Sequence, residues 1–291
     1  MKVRRIHSPG SCDYAGGYQE LRWDLSGCNL RCSFCWSPAS RPSETGDPTR
    51  IVSSREVVEE TRRNLHAQSR AFIRFTGGEP TLQWLGITEV LAAYQAELRS
   101  PKPPILFQTN GIEIGKGAIG LDSLAAHRDQ LYLFELSFKG TNPEEFSILS
   151  GKAQELYEFQ LEGYQRLLDL SKKSRNICVV AVLGVYHSAV NGPSQYAFVH
   201  PGTNRLLFEN PDNWDPRFRA LWMSAPFSWV ERLRRSPMGV WNNVWQRCGP
   251  NGARVLREFH PSASTNGRRL FKPKPAAAEY ARRIVSKVFW H

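Results

Sequence analysis

No hydrophobic run in the chain is long enough to cross a bilayer. The longest apolar stretch, Ile177 to Tyr186, falls well short of the ~20 residues a membrane helix needs. The segment Met1-Lys2-Val3-Arg4-Arg5-Ile6-His7 lacks the apolar core of a secretory signal. A cytoplasmic protein without membrane association is therefore expected. Cysteine is scarce, with six in 291 residues, which excludes the disulfide-dense frameworks of small secreted domains. Acidic residues are outnumbered, 27 against 38 Lys and Arg, leaving a formal net charge of +11. No standard RNA-binding motif is present. What remains is a globular composition, 41% hydrophobic and 22% charged, long enough for one large domain or a domain with an appendage.

The excess charge is unevenly placed. Residues 1–189 hold 22 basic and 21 acidic side chains, whereas residues 190–291 hold 16 and 6. The last third also has six of the nine tryptophans: Trp214, Trp222, Trp229, Trp241, Trp245 and Trp290. This asymmetry, with the turn chemistry of Asn191-Gly192-Pro193, divides the chain into a core over 1–190 and a basic lobe over 191–291. Arginine and tryptophan together suit phosphates and stacked bases. They equally suit an arginine-rich surface over a small tryptophan-packed lobe. Arg232, Arg234 and Arg235, then Arg268, Arg269, Lys272 and Lys274, are the candidate anion-binding patches.

Within the core, strand and helix patterns alternate. Strands are predicted at Tyr18–Leu25, Phe72–Thr76, Ile105–Gln108, Leu131–Phe138 and Ile177–Tyr186, with a sixth at Arg205–Phe208 that would extend the core to about residue 210. Helices are predicted from Ser53 or Ser54 to about Gln68, over Thr88–Leu98, over a short stretch at Leu121–His127, and from Pro143 through Leu170 with a break at Gly151. Repeated strand–helix units imply a parallel sheet with right-handed crossovers. Repetition alone does not separate an open sheet from a barrel.

The first predicted strand runs into Cys28-Asn29-Leu30-Arg31-Cys32-Ser33-Phe34-Cys35. Three thiolates on one loop can anchor three irons of a cubane and leave the fourth iron open, since such clusters normally take four cysteines. The same thiols are also compatible with zinc and a distant histidine, or with no metal. Cys12, Cys178 and Cys248 lie far apart, and Cys178 reads as a small apolar core residue. About 40 residues after the triplet, the strand Phe72–Thr76 ends in Gly77-Gly78-Glu79-Pro80. The C-x3-C-x2-C triplet and this second motif together resemble the radical SAM superfamily.

That resemblance implies a partial (β/α)6 barrel of the radical SAM type, with the basic, tryptophan-rich segment as a C-terminal extension. It implies a [4Fe–4S] cluster on Cys28, Cys32 and Cys35, with S-adenosylmethionine (SAM) as second cofactor. It places Gly77, Gly78, Glu79 and Pro80 at the SAM methionine, the Glu79 carboxylate facing its ammonium, and Phe34 near the adenine. Trp36 shields the cluster or simply packs. Thr109 and Asn110 of Thr109-Asn110-Gly111 contact SAM or form an ordinary turn. Ser137 and Lys139 reach SAM polar groups, with a solvated rim charge the plainer role for Lys139. Val182, with Leu183, lines the adenine or belongs to the core. An electron donor of the flavodoxin or ferredoxin class is implied.

The stretch Glu135 to Phe146 is most similar to small proteins related to pyruvate formate-lyase activating enzymes. Activases of that group carry acidic residues where this chain has Gln108 and Ser137, which weakens a cation-binding activase reading. The expected activity is hydrogen abstraction from an anionic substrate: RNA, a nucleotide or a phosphorylated metabolite. The alternatives are glycyl-radical activation of a partner protein, modification of a peptide, and a non-enzymatic cluster-binding scaffold.

Overall fold

A computed structural model describes residues 1–7, 19–32, 35, 50–65, 71–98, 102–187, 213–224, 230–235 and 241–248; from residue 182, apart from 213–221, it describes the backbone alone. The elements in chain order are β1 (Lys2–His7), β2 (Gln19–Leu25), β3 (Arg50–Ile51), α1 (Ser54–Asn64), β4 (Ala71–Gly77), a 3-10 turn (Pro80–Gln83), α2 (Trp84–Glu97), β5 (Ile105–Thr109), α3 (Ile112–Gly115) and α4 (Asp122–Ala126). β6 (Tyr132–Phe138), α5 (Pro143–Ser150), α6 (Leu156–Lys173), β7 (Ile177–His187), α7 (Pro216–Ser224), β8 (Val230–Arg235) and β9 (Trp241–Cys248) follow.

These strands make one open nine-stranded sheet in the order β3-β1-β2-β4-β5-β6-β7-β9-β8. The central strands β2, β4, β5, β6 and β7 are parallel. The outer four are antiparallel to their neighbours. This is the mixed α/β, partial-barrel architecture expected, with an unanticipated antiparallel margin on each side. The expected sixth strand at 205–208 lies outside the described residues.

Period-two alternation gives the sheet two unlike faces. One buries Leu21, Trp23, Ile73, Phe75, Phe107, Tyr132, Phe134, Leu136, Ile177 and Val179 against the helices. Phe107 anchors it, stacking on Phe75 at 5.6 Å and on Phe134 at 5.0 Å. The other face carries a polar band. Glu20, Arg22 and Asp24 of β2, Arg74 and Thr76 of β4, Gln108 of β5 and Glu135 of β6 all fall on it. Glu20 and Arg74 form a buried ion pair at 2.9 Å, and Arg22 pairs with Asp24 at 3.1 Å. Cys178 is fully buried on this same face, outside the helix-packed core.

Helix boundaries follow local chemistry. Ser53 caps α1 in a reciprocal capping box with Glu56. Asn142 caps α5, Pro143 opens it, and Gly151 closes it at φ 61°. Two contacts of α6 matter for the site. A Cβ on Gly163 would lie 2.2 Å from the Gly111 carbonyl, and one on Gly115 would lie 1.8 Å from that of Phe159. Only glycines let α6 lie this close against α3 and the turn before it.

Some of the described residues beyond 190 pack on the core or pair with its sheet. Trp214 and Phe218 are buried in the core, with Phe218 edge-on to Phe138 at 4.9 Å. The Asp215 N–H donates to the Thr141 carbonyl at 2.8 Å. β9 pairs with β7 from Val180 to His187.

Candidate functional site

The chain leaves β2 through Ser26 and turns at Gly27, whose φ is 96°. Cys28, Cys32 and Cys35 follow on one loop, and none is in a disulfide. The loop is pinned at several points. The Arg31 N–H donates to the Ser150 carbonyl at 2.8 Å, tying it to the end of α5. Cys35 N–H donates to the Cys32 carbonyl at 3.2 Å. The Leu30 N–H points at the Cys28 sulfur at 3.5 Å. Burial, reinforced by the Glu79 and Cys32 charges, pushes the Cys28 thiol up to about 12, while the Leu30 N–H and Lys139 pull it down. Glu79 and Lys139 therefore both lie within electrostatic reach of this sulfur.

The turn after β4 locks onto the cysteine loop backbone to backbone. Gly78 N–H donates to the Leu25 carbonyl at 2.8 Å, and Glu79 N–H to the Gly27 carbonyl at 2.6 Å. A Cβ on Gly78 would fall 1.8 Å from the Gly27 oxygen, and Gly77 has φ 96° with Leu25 N only 2.7 Å from its would-be Cβ. Neither position admits a side chain. Pro80 starts the 3-10 turn, and the Gln83 amide donates to the Ser26 carbonyl at 2.7 Å.

Glu79 is buried and well supplied with donors. Its Oε1 accepts from Thr81 N–H at 3.1 Å, the Thr81 hydroxyl at 2.5 Å and the Thr109 hydroxyl at 2.6 Å. Its Oε2 accepts from Asn110 N–H at 2.7 Å. Burial raises the carboxyl above its ordinary range, and these four donors oppose that rise. A carboxylate offers about four lone-pair directions, two on each oxygen. Among the described residues Oε2 has one donor, which leaves it an open direction.

The turn after β5 supports this arrangement. Thr109 is spent on Glu79 and on the Gly111 N–H at 3.0 Å. Asn110 caps the next turn through Ile112 N–H at 3.0 Å, and its amide donates to Asn29 at 2.7 Å. Asn29, inside the cysteine loop, in turn donates to Glu113 at 3.1 Å. Gln160 of α6, fully buried, donates to the carbonyls of Asn110 at 2.7 Å and Ser137 at 3.2 Å, and accepts from Lys139 N–H at 3.0 Å. The sequence reading missed Asn29, Thr81 and Gln160. The one available signal was a glutamine on the apolar stripe of α6.

The structure thus brings together Cys28, Cys32, Cys35, Gly77, Gly78, Glu79, Pro80, Thr109, Asn110, Ser137 and Lys139 at the C-terminal ends of the parallel strands. Val182 pairs with Ser137 in the β6–β7 ladder. Arg232, Arg234 and Arg235 lie on edge strand β8. Phe34, Trp36, Arg268, Arg269, Lys272 and Lys274 lie outside the described residues.

The family model for the radical SAM superfamily matches residues 25–187. The chain belongs to that superfamily. No curated protein matches it. Radical SAM enzymes use a [4Fe–4S] cluster and SAM, and the residues here fit both. Among the described residues, no three His, Cys, Asp or Glu side chains converge on a single-ion position. A cubane instead distributes its thiolates over separate irons, which suits three unbridged cysteines on one pinned loop. The side-chain-free Gly77-Gly78 turn leads straight from that loop to a carboxylate with an open lone pair, the chemistry an ammonium requires. The chain is a radical SAM enzyme.

Proposed function

We propose that Cys28, Cys32 and Cys35 hold the cluster, that Glu79 receives the SAM ammonium, and that the reaction is hydrogen abstraction from an anionic substrate. When bound, the cofactors supply a one-electron cleavage of the sulfur–C5′ bond, giving methionine and a 5′-deoxyadenosyl radical that takes a hydrogen atom from substrate. The protein's part is positional. The backbone lock between Gly27 and Gly78–Glu79 fixes the carboxylate relative to the cysteines, and this observation carries the reading. Thr81, Thr109 and Asn110 hold Glu79 in place. Ser137 and Lys139, at the end of β6, meet the polar groups of SAM in this reading.

The anionic substrate is supported by the basic surplus of residues 190–291 and by the continuity of the sheet from β7 through β9 to arginine-bearing β8. RNA, a nucleotide or a phosphorylated metabolite meets that description, with a flavodoxin- or ferredoxin-class protein as electron donor. The test has two parts. Anaerobically reconstituted protein should hold about four irons and release 5′-deoxyadenosine from SAM on reduction. Fluorescence anisotropy with total tRNA at two salt concentrations should show binding that weakens steeply with salt. Zinc in place of iron would defeat the first part, and no binding at low salt would defeat the RNA form of the second.

A further inference from the structure

One polar row crosses the sheet directly beneath the candidate SAM site. Asp24 pairs with Thr76 in the β2–β4 ladder, and Gln108 with Glu135 in the β5–β6 ladder. The Thr76 hydroxyl donates to Gln108 Oε1 at 2.5 Å, and Gln108 Nε2 donates to Glu135 Oε1 at 2.7 Å. This fixes the amide: its oxygen faces Thr76 and its nitrogen faces Glu135. The row lies two residues below Gly78, Asn110 and Ser137 along β4, β5 and β6, on the face away from the helices.

Glu135 is the anomaly in the row. It is 6% exposed, and among the described residues its only hydrogen-bond or ion-pair partner is Gln108. Its neighbours are better matched, since Asp24 has Arg22 and Glu20 has Arg74. A buried carboxylate is costly unless donors or a cation meet it. A bound partner would supply what the described residues do not.

We infer that Glu135, oriented by the Thr76–Gln108 relay, receives a planar substrate edge bearing two adjacent N–H donors, and that this edge belongs to a nucleobase. A carboxylate can accept both N–H groups side by side while keeping its bond from Gln108. The position below the SAM motifs puts such a base inside the partial barrel, with the rest of a nucleotide reaching along the sheet toward arginine-bearing β8. The inference rests on the anionic-substrate reading and deepens it. Guanine is the common base whose pairing edge carries two adjacent N–H donors.

The test uses full-length, reconstituted, SAM-bound protein under anaerobic conditions, with guanosine, inosine, GMP and N-acetylarginine amide as calorimetric probes. Wild type should prefer guanosine to inosine, which lacks the second N–H donor. Glu135→Gln should weaken guanosine and GMP alike, about ten- to a hundredfold for the loss of hydrogen bonds to a charged group. In ligand-free protein, Glu135→Gln should melt at or above the wild-type temperature, because no cation among the described residues pairs with this carboxylate. Unchanged guanosine affinity in Glu135→Gln, equal binding of inosine, or a destabilised variant would overturn the inference. GMP binding more tightly than guanosine with no effect of Glu135→Gln would overturn it while sparing the anionic reading. Equal affinity for guanosine and GMP, both lost in the variant, would uphold Glu135 and defeat the anionic reading. Preference for N-acetylarginine amide would overturn the nucleobase in favour of a peptide.

Discussion

Glu79→Gln gives a sharp test of the site because it keeps shape and removes one acceptor. The native carboxylate takes three donors on Oε1 and one, the Asn110 N–H at 2.7 Å, on Oε2. An amide has one oxygen. With that oxygen at Oε1, the NH2 group faces the Asn110 N–H, and two buried donors meet. With the amide reversed, it opposes the Thr81 N–H and both hydroxyls, which is worse. The first arrangement leaves one unsatisfied buried pair, costing about 1–3 kcal/mol of stability. Binding suffers separately. At the Oε2 position the ammonium then meets an NH2 donor in place of an acceptor, so the hydrogen bond to a charged group is lost, about 1.5–3 kcal/mol, or about ten- to a hundredfold in SAM affinity. Denaturant unfolding of ligand-free protein measures the first effect, and calorimetry with SAM on reconstituted protein measures the second. Lost stability with unchanged SAM affinity would make Glu79 a brace for the turn only. No change in either would refute the reasoning altogether.

Cys28→Ala should abolish reductive SAM cleavage by removing one of the three proposed cluster anchors, whereas Cys178→Ala should assemble a normal iron complement; iron analysis and absorbance check both. Gly78→Ala should cost more than the ~1–3 kcal/mol of ordinary overpacking, because the new Cβ meets a backbone oxygen at 1.8 Å and no rotamer relieves it. Native-like melting and iron content in that variant would show that the cysteine loop and the turn after β4 are not locked. Replacing Arg232, Arg234 and Arg235 together by Glu should weaken tRNA binding and flatten its salt dependence; an unchanged slope in anisotropy titrations would remove β8 from the interface.

What was legible in the sequence was local. Cys28, Cys32 and Cys35 sit within eight residues, and Gly77 to Pro80 is one turn, so spacing alone exposes them. The central strands were visible as apolar runs, and Ser53 and Pro143 as helix starts. The rest depends on long-range pairing. β1 reads as a charged N-terminal stretch until it pairs with β2. β9, Trp-Asn-Asn-Val-Trp-Gln-Arg-Cys, has no apolar run, and pairing with β7 and β8 makes it a strand. Glu20, Arg22, Asp24, Arg74 and Glu135 give the sheet one charged face, because their partners come from within one strand or the strand alongside. Gln160 was invisible for the same reason: its three bonds reach Asn110, Ser137 and Lys139, 21 to 50 positions away.

That glutamine couples parts of the protein that share no sequence. The loops after β5 and β6 both belong to the candidate site, and one side chain of a helix packed on the other face of the sheet bonds to both. Their fluctuations should therefore be linked. The amides from Asn110 to Ile112 and those near Lys139 are expected to open as one cooperative unit with α6, which hydrogen exchange would show. Substitutions on the solvent side of α6 that loosen its seating would therefore register at both loops together, and the two halves of the pocket would soften as one.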